Sequence, residues 1–159
     1  MRTILAAIML ASALVWGMTG AMGMAFDGAG WIWSSAPGGA GQSRPAEVVF
    51  FRAELNLPAE ARIESAEVAA SADNLYALFV NGRAVGESGT GNGSWQQARR
   101  YGITQLLRPG RNVFAVQAVN TLPGPAGLLV RAKVRLAGGQ VVTFSSDEAW
   151  RFAETEQAN

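Results

Sequence analysis

The chain contains no cysteine and no histidine among its 159 residues. Their absence excludes disulfide bonds, cysteine nucleophiles, zinc sites built from Cys and His, and catalytic triads that use histidine. A metal ion would have to be held by oxygen atoms, which are the ligands that Ca²⁺ and Mg²⁺ take. Exported proteins often contain disulfides, but the missing cysteines do not decide the compartment.

Charged residues are also scarce. They make up 16% of the chain, against 49% hydrophobic residues, which is the composition of a globular domain and not of a disordered one. The formal net charge is +1, and removal of an N-terminal segment with Arg2 would leave 12 basic and 12 acidic residues. Such a balance argues against DNA and anionic membranes as partners. We therefore expect no nucleic-acid partner, and no membrane partner after signal cleavage.

The N-terminus has the parts of a secretory signal peptide. Arg2 supplies a positive charge, residues 4–16 are apolar, and small residues precede two candidate cleavage points, after Ala21 and after Ala25. The sequence therefore predicts a cleaved signal helix over residues 1–25 and export to the periplasm or the extracellular space. An uncleaved anchor is the alternative, because the uncharged residues 4–24 could just span a bilayer.

The remainder predicts an all-β fold, a two-sheet jelly-roll β-sandwich of about eight to nine strands. Short apolar runs recur between turn residues, and no helical stripe exceeds a turn or two. Two-residue alternation is clearest in residues 47–57 and 128–136. We assign residues 26–153 to the sandwich and residues 154–159 to a polar tail. Further strands are expected at residues 31–33, 63–72, 112–120 and 141–146 and around Trp150 and Phe152, with a helical turn before Pro109.

The stretch DNLYALFVNGRAVG, residues 73–86, predicts a β-hairpin. Its Asn81-Gly82 step favours a type I′ turn, in which both central residues need a positive φ angle. We expect two cross-strand pairs beside this turn, Phe79 with Ala84 and Leu78 with Val85. Asn81 is therefore interpreted as a turn residue and not as a sugar ligand.

Five segments follow one another in a recognisable order: ASADNLYALFVNGRAVG, the tryptophan at position 95, YGITQLLRPGRNVFAVQAVN, PAGLLVRAKVRLAGG and SDEAW. In this order and spacing the chain resembles a galactose-binding-like β-sandwich, the jelly-roll module found beside the catalytic domains of bacterial α-L-rhamnosidases and related glycoside hydrolases. The resemblance extends over about residues 31–152. It departs at Gly102, where an aspartate that could cap the next turn is expected. The resemblance implies carbohydrate binding through loops at one end of the sandwich, often with a structural Ca²⁺.

The loop of residues 86–101 is the first candidate binding segment. Four of its first eight residues are glycine, so we do not expect it to fill the core. Sugar recognition needs an aromatic face and planar polar groups, which Trp95, Gln96 and Arg99 can supply. In the alternative, Trp95 packs back onto the sandwich and the neighbouring charges are only solvated.

Asp73 and Asn74, at the start of the hairpin, have two interpretations. Short acid and amide side chains commonly bond to nearby backbone N–H groups, but their oxygen atoms could instead bind Ca²⁺. Tyr76 is expected at the edge of the core with its hydroxyl at the rim, where it could contact a ligand. Asn120 stands at the base of a proline-containing loop and could line a pocket.

Two further groups of residues are expected to be structural. Trp31, Trp33 and Trp150 are expected to close the edge of the core. The row of Arg131, Lys133 and Arg135 is expected to point out from an exposed sheet face, where it aids solubility or contacts an acidic glycan or a partner domain.

Catalysis is not expected, because a glycosidase needs two carboxylates fixed across a cleft and the acidic residues here are scattered. We predict an exported non-catalytic carbohydrate-binding module whose partner is a polysaccharide or another glycan. A neighbouring domain or protein is a second candidate partner. The alternatives are a structural or protein-interaction β-sandwich without sugar affinity, and an accessory domain of a glycoside hydrolase.

Overall fold

The computed structural model describes residues 2–3, 25–34, 40–41, 43–90 and 93–155. Most of the predicted signal helix and residues 156–159 of the predicted tail lie outside the described residues. The described residues form twelve strands: β1 (Arg2–Thr3), β2 (Ser43–Arg44), β3 (Glu47–Leu57), β4 (Ile63–Asp73), β5 (Leu75–Val80), β6 (Arg83–Glu87), β7 (Arg99–Gly102), β8 (Gly110–Asn120), β9 (Gly124–Pro125), β10 (Gly127–Leu136), β11 (Val141–Ser145) and β12 (Arg151–Ala153). Nine of these have three or more residues, so the predicted all-β fold is confirmed.

Two antiparallel sheets pack face to face around one core. The six-stranded sheet has the order β1-β12-β3-β8-β5-β6, and the four-stranded sheet has the order β11-β10-β4-β7. β2 and β9 form a separate two-stranded ribbon. Both sheets contribute fully buried side chains to one cluster, among them Phe51 and Phe114 from the larger sheet and Val68 and Val130 from the smaller one.

The pairing of β3 with β8 is an uninterrupted register of eleven residue pairs, from Glu47 opposite Asn120 to Leu57 opposite Gly110. Successive side chains of a strand point to opposite faces. The core face of β3 is therefore buried as predicted, except that Ala53 is half-buried. The other face directs Arg52 and Glu54 away from the core.

The predicted type I′ turn is confirmed. Asn81 has φ 51° and Gly82 has φ 77°, and Phe79 pairs with Ala84 as expected. The Asn81 amide donates to the Leu106 carbonyl at 2.8 Å, and its Oδ1 accepts the Val113 N–H at 2.9 Å. Asn81 therefore joins the hairpin to the chain on either side of β8's start, in addition to supplying the turn.

One predicted hairpin pair is wrong. Leu78 lies opposite Gly86, and the register shifts between Leu78 and Phe79, so Val85 is the extra residue of a β-bulge. The bulge brings Gly86 beneath the Tyr101 ring, where an added Cβ would overlap the ring carbons. The missing side chain at Gly86 thus allows the ring to approach the backbone.

The predicted helical turn is a short 3-10 segment, Thr104–Leu106. No side chain caps its N-terminus at Ile103 in the described chain, in keeping with glycine at position 102. The Thr104 hydroxyl accepts the Ala66 N–H at 2.8 Å, which fixes this turn to β4.

The predicted strand at residues 31–33 is wrong, because Ile32 makes one isolated bridge to Leu128. β11 pairs with Arg131–Arg135 of β10, so Ile32 takes the place beside β10 beyond the end of β11.

Trp33 and Trp150 are 1% exposed, which confirms that they close the core. Trp31 is half-buried, and its ring passes Gly127 so closely that an added Cβ would lie 2.6 Å from Cε3.

The expected outward row on β10 is correct at Lys133 and Arg135, which are exposed. The Arg131 side chain is only 10% exposed and lies 3.9 Å from the Asp27 carboxylate. The physical reason is that residues 25–34 cover this part of the outer face, where Phe26 packs against a small apolar cluster that includes Leu129.

No helix in the described part of the chain is both long enough and apolar enough to cross a membrane.

We expect Asn81→Ala to destabilise the protein by about 2–4 kcal/mol, because it leaves buried partners unbonded and strains a residue with positive φ. Asn81→Gly removes the same hydrogen bonds but tolerates the φ angle, so its loss should be smaller. Urea unfolding of both variants measures the two contributions. Wild-type stability in Asn81→Ala would contradict the role of the side chain.

Candidate functional site

Three segments meet at one end of the sandwich, which we call the loop end: the Asp73–Asn74 turn, the described part of the 88–98 loop, and the 121–126 loop. The Asn74 Oδ1 accepts hydrogen bonds from the Thr121 N–H at 2.9 Å and the Thr121 hydroxyl at 3.0 Å. The Ser71 hydroxyl donates to the Trp95 carbonyl at 2.7 Å. These bonds hold loops from distant parts of the sequence together.

Asp73 is a partly desolvated carboxylate at this end. Burial raises its pKa from the ordinary value of 3.8, because removal from water disfavours the charged form. Its Oδ1 accepts a hydrogen bond from the Asn74 amide at 2.8 Å. A cation bound beside this carboxylate would reverse the effect of burial, since a nearby positive charge favours the ionised form.

The Asp73–Asn74 pair has the oxygen donors that Ca²⁺ takes, one carboxylate and one side-chain amide. Among the described residues there is no cluster of three or more Asp, Glu, His or Cys side chains that could hold a metal. The Asn74 amide nitrogen faces Asp73, and the Asn74 Oδ1 already accepts two hydrogen bonds from Thr121. Of this pair, only the Asp73 carboxylate has the placement of a cation ligand, and the remaining oxygen ligands would be main-chain carbonyls, water or ligand hydroxyls. Asn74 also bonds to Thr121, so it orients the turn as well.

Trp95 lies in a short 3-10 segment, Ser94–Gln96, and is 38% exposed. The Trp95 side chain is therefore partly packed against the protein and partly exposed to solvent, between the two interpretations given from the sequence. Its backbone is anchored by Ser71, which is 1% exposed. An anchored backbone beneath a partly exposed indole leaves an aromatic surface at the loop end.

Leu122 is 72% exposed in the neighbouring loop, and it was not among the binding residues expected from the sequence. The exposure of Leu122 could have been predicted, because it lies between Thr121 and Pro123 in a loop too short and too rich in proline to bury an apolar side chain. Leu122 adds an apolar side chain to an end that otherwise presents mainly polar groups.

Arg99 and Gln96 are both exposed. The Arg99 guanidinium passes close to the backbone of Gly89, where an added Cβ would lie 2.6 Å from Nη2. The glycine therefore has a packing role beyond loop flexibility, because a side chain there would displace the guanidinium. Trp95, Gln96 and Arg99 lie on one short stretch of the loop end, and their role in binding stays a prediction.

Tyr76 is 4% exposed, so the structure places it deeper than the rim expected from sequence. Its hydroxyl oxygen lies 3.0 Å from that of Tyr101, and the Tyr101 hydroxyl donates to the Glu87 carbonyl at 2.8 Å. Burial is the main cause that raises the pKa of Tyr76, followed by the hydrogen bond with Tyr101. In this structure Tyr76 supports the base of the glycine-rich loop.

Asn120 is 1% exposed and is bonded within the protein. Its amide donates to the Arg44 carbonyl at 3.2 Å and the Pro45 carbonyl at 2.9 Å. Its Oδ1 is buried and has no hydrogen-bond partner among the described residues. Asn120 therefore fixes the segment before β3 and lies beneath the loop end.

No family model matches the chain. The chain is 33% identical over 135 residues to an α-L-rhamnosidase from Streptomyces avermitilis, which covers 84% of this chain and 13% of that enzyme. The crystal structure of the Streptomyces avermitilis enzyme complexed with L-rhamnose matches with a TM-score of 0.78 and 32% identity over 84% of this chain and 13% of that one.

Two further structures are similar. A lectin from Pleurotus ostreatus in complex with GalNAc has a TM-score of 0.69 and 26% identity, covering 78% of this chain and 35% of the lectin. A GH78 rhamnosidase from Bacillus sp. GL1 has a TM-score of 0.60 and 32% identity, covering 80% of this chain and 13% of that one. The chain is therefore homologous to a small part of the α-L-rhamnosidases and has the galactose-binding-like β-sandwich fold that its sequence resembles.

Proposed function

We propose that this protein is an exported, non-catalytic carbohydrate-binding module that binds a glycan at the loop end. The observation that supports this most directly is the convergence there of a partly exposed tryptophan, an arginine and a partly desolvated carboxylate. The matching segment is 13% of the rhamnosidase chain, which is the size expected of an appended module. Export is proposed from the N-terminal sequence.

In the proposed complex the Trp95 indole packs against the C–H face of a sugar ring, because aromatic rings offer a flat apolar surface of that size. The Arg99 guanidinium and the Gln96 amide have planar donors that can bond to sugar hydroxyls. Leu122 extends the apolar contact from the neighbouring loop. One apolar face with a few oriented polar groups is the usual construction of a small-molecule site.

Of the predicted pair, Asp73 is the residue that would hold a Ca²⁺ ion at this end. Since Ca²⁺ takes six to eight oxygen ligands and one carboxylate supplies at most two, the ion would have coordination positions left for sugar hydroxyls. The role proposed for Asp73 is to bind the cation in its ionised form, and the role proposed for Asn74 is to hold the turn against Thr121.

The described carboxylates favour a binding function over hydrolysis. A glycosidase needs two carboxylates that face each other across a cleft, with one of them protonated. Here Glu54 is paired with Arg111, Glu67 with Arg100, and Glu47 with Arg44. The hydrogen bond from Arg111 lowers the pKa of the Glu54 carboxyl, which makes Glu54 a poor general acid.

A second candidate function is an accessory domain that packs against a glycoside hydrolase and shapes its cleft. Homology to a small part of two rhamnosidases favours it. Direct binding of a glycan by this chain alone supports the binding module. Absence of glycan binding, together with a hydrolase domain in the same reading frame, supports the accessory role.

We expect Ca²⁺ to raise the melting temperature of the wild-type protein and EDTA to reverse the increase, because a ligand that binds the native state stabilises it. Asp73→Asn should abolish this response. Asp147→Asn removes one exposed carboxylate from a turn and serves as the matched control that keeps the response. Melting curves that EDTA leaves unchanged in the wild type would contradict the calcium proposal.

The pH dependence of stability tests the state of Asp73 without metal. Burial raises its pKa in the folded protein, so the folded state binds this proton more tightly than the unfolded state. The resulting stability is fully present below the unfolded pKa and is lost as pH rises through the raised folded pKa. In EDTA, we therefore expect Asp73→Asn to gain stability relative to wild type as the pH rises above the unfolded pKa of about 3.9. A pH-independent difference in urea unfolding contradicts this.

We expect Trp95→Ala to weaken glycan binding about tenfold or more, because central aromatic contacts dominate binding energy. Val141→Ala is the control, since Val141 is another exposed apolar residue, 47% exposed, on a different strand. L-rhamnose and GalNAc are the first ligands to test by calorimetry, followed by a glycan array. A wild type that binds no glycan, or a Trp95→Ala variant that binds normally, would overturn the proposed site.

A further inference from the structure

An ion pair between Arg44 and Glu47 closes the core of the sandwich beneath the loop end. Glu47 is the first residue of β3 and lies opposite Asn120. It has the same two-residue parity as Val49 and Phe51, so it occupies a core-facing position. The Arg44 and Glu47 side chains are only 5% and 18% exposed. Arginine and glutamate are seldom buried unless they are paired, and the ion pair accounts for the burial of both.

The ion pair has a restricted geometry, because several donors share the Glu47 carboxylate. The Arg44 Nε donates to Oε1 at 2.9 Å and its Nη2 donates to Oε2 at 3.3 Å. The Trp33 indole N–H also donates to Oε1, at 2.7 Å, and the Arg44 Nη2 donates to the Ser34 hydroxyl at 2.7 Å. Two parallel N–H···O bonds between a guanidinium and a carboxylate fix the orientation of both groups. The Arg44 side chain therefore ties its own backbone to β3.

Arg44 belongs to the β2–β9 ribbon, and the second strand of this ribbon is part of the 121–126 loop. Arg44 lies opposite Gly124, and the Gly41 N–H donates to the Ala126 carbonyl at 2.8 Å. The ribbon has only two residue pairs and is separate from both sheets. A two-stranded pairing is at best marginally stable in isolation, so the place of the ribbon depends on the contacts that attach it to the sandwich.

We propose that Arg44 and Glu47 are positioning residues of the loop end, whose ion pair holds the 121–126 loop, and with it Leu122, in place for ligand contact. The ion pair sets the position of β2 on β3, and the pairing of β2 with Gly124 passes this position to the loop. Neither residue needs to touch the ligand. The inference rests on the proposed function, because it takes the loop end to be the binding site.

The effect of the ion pair should be confined to the loop end. β3 and β8 are held together by eleven residue pairs, which do not need the Glu47 side chain. The ribbon lacks such a register, and the Asn120 amide, which donates to the Arg44 carbonyl at 3.2 Å, holds its backbone but not its guanidinium. Loss of the ion pair should therefore loosen the 121–126 loop before the sheets, since regions with few contacts open locally at a smaller free-energy cost.

Hydrogen exchange of the full chain tests this positioning without any ligand. The reporter is the Gly41 amide, which bonds to Ala126, and the reference is the Ile103 amide, which donates to the Ala66 carbonyl at 2.9 Å away from the loop end. We expect Glu47→Gln to speed exchange at Gly41 about tenfold, the loss of one charge-assisted hydrogen bond, and at Ile103 less than about twofold. Glu54→Gln is the matched control, because it breaks an exposed ion pair on the same strand and should change neither amide.

Calorimetric titration with L-rhamnose and with GalNAc measures the consequence for binding. Glu47→Gln should weaken binding roughly threefold to tenfold, because a displaced Leu122 loses its part of the apolar contact; Glu54→Gln should bind as the wild type does. A wild type that binds neither sugar counts against the proposed function and leaves the exchange result to decide the positioning. Normal Gly41 exchange in Glu47→Gln, or normal affinity in that variant, overturns the positioning proposal.

A double variant separates positioning from the balance of buried charge. Glu47→Gln leaves Arg44 buried without the Glu47 carboxylate, which destabilises a folded protein as a whole. Arg44→Met combined with Glu47→Gln removes both charges and should recover most of the melting temperature, yet keep the fast Gly41 exchange and the weak binding. Recovery of Gly41 protection and of affinity together with the melting temperature would show that the pair only balances charge. That result, or equal acceleration at Gly41 and Ile103 in the double variant, would contradict the proposal.

Discussion

The register between β3 and β8 determines where every other feature can lie. Eleven consecutive pairs hold these strands together, and the two-residue period of each strand commits alternate side chains to the core. Apolar residues such as Phe51 and Phe114 fill that interior, so polar chemistry is left to the outer faces and the strand ends. The same register brings Asn120 to the loop end and holds Arg52 on the opposite side of the sheet from the core. The placement of the loop end thus depends on this one pairing.

The parts of the fold that sequence could predict are those set by neighbours in the chain. Alternation in β3 and the positive φ angles at Asn81 need nothing beyond a few adjacent residues. The bulge at Val85 could not be predicted, because it accommodates Tyr101 from a distant strand. The burial of Arg131 could not be predicted either. Alternation shows which face of the sheet Arg131 occupies, but it does not show that the segment around Asp27 covers that face.

The same distinction between local and distant determinants applies to the residues of the candidate site. Trp95 and Asp73 could be assigned to the loop end because both lie in or beside turns at the ends of recognisable strands. The burial of a side chain could not be predicted in this way. Tyr76 and Asn120 also lie near strand ends, yet both are buried, because strand β7 and the segment before β3 pack over them. The register that places Arg151 opposite Arg52 joins strands that are distant in the sequence, so no local pattern could predict it.

The near-neutral charge of the chain limits attraction over the whole surface but not interactions between neighbouring charges. A net charge of +1 argues against partners held by bulk attraction, because such binding needs a large field of one sign. It does not argue against local concentration of charge. Glu54 and Glu67 each neutralise one arginine on the surface. Charge on these outer faces is therefore balanced pair by pair, and the balance leaves no extended field of one sign that would hold a partner by bulk attraction.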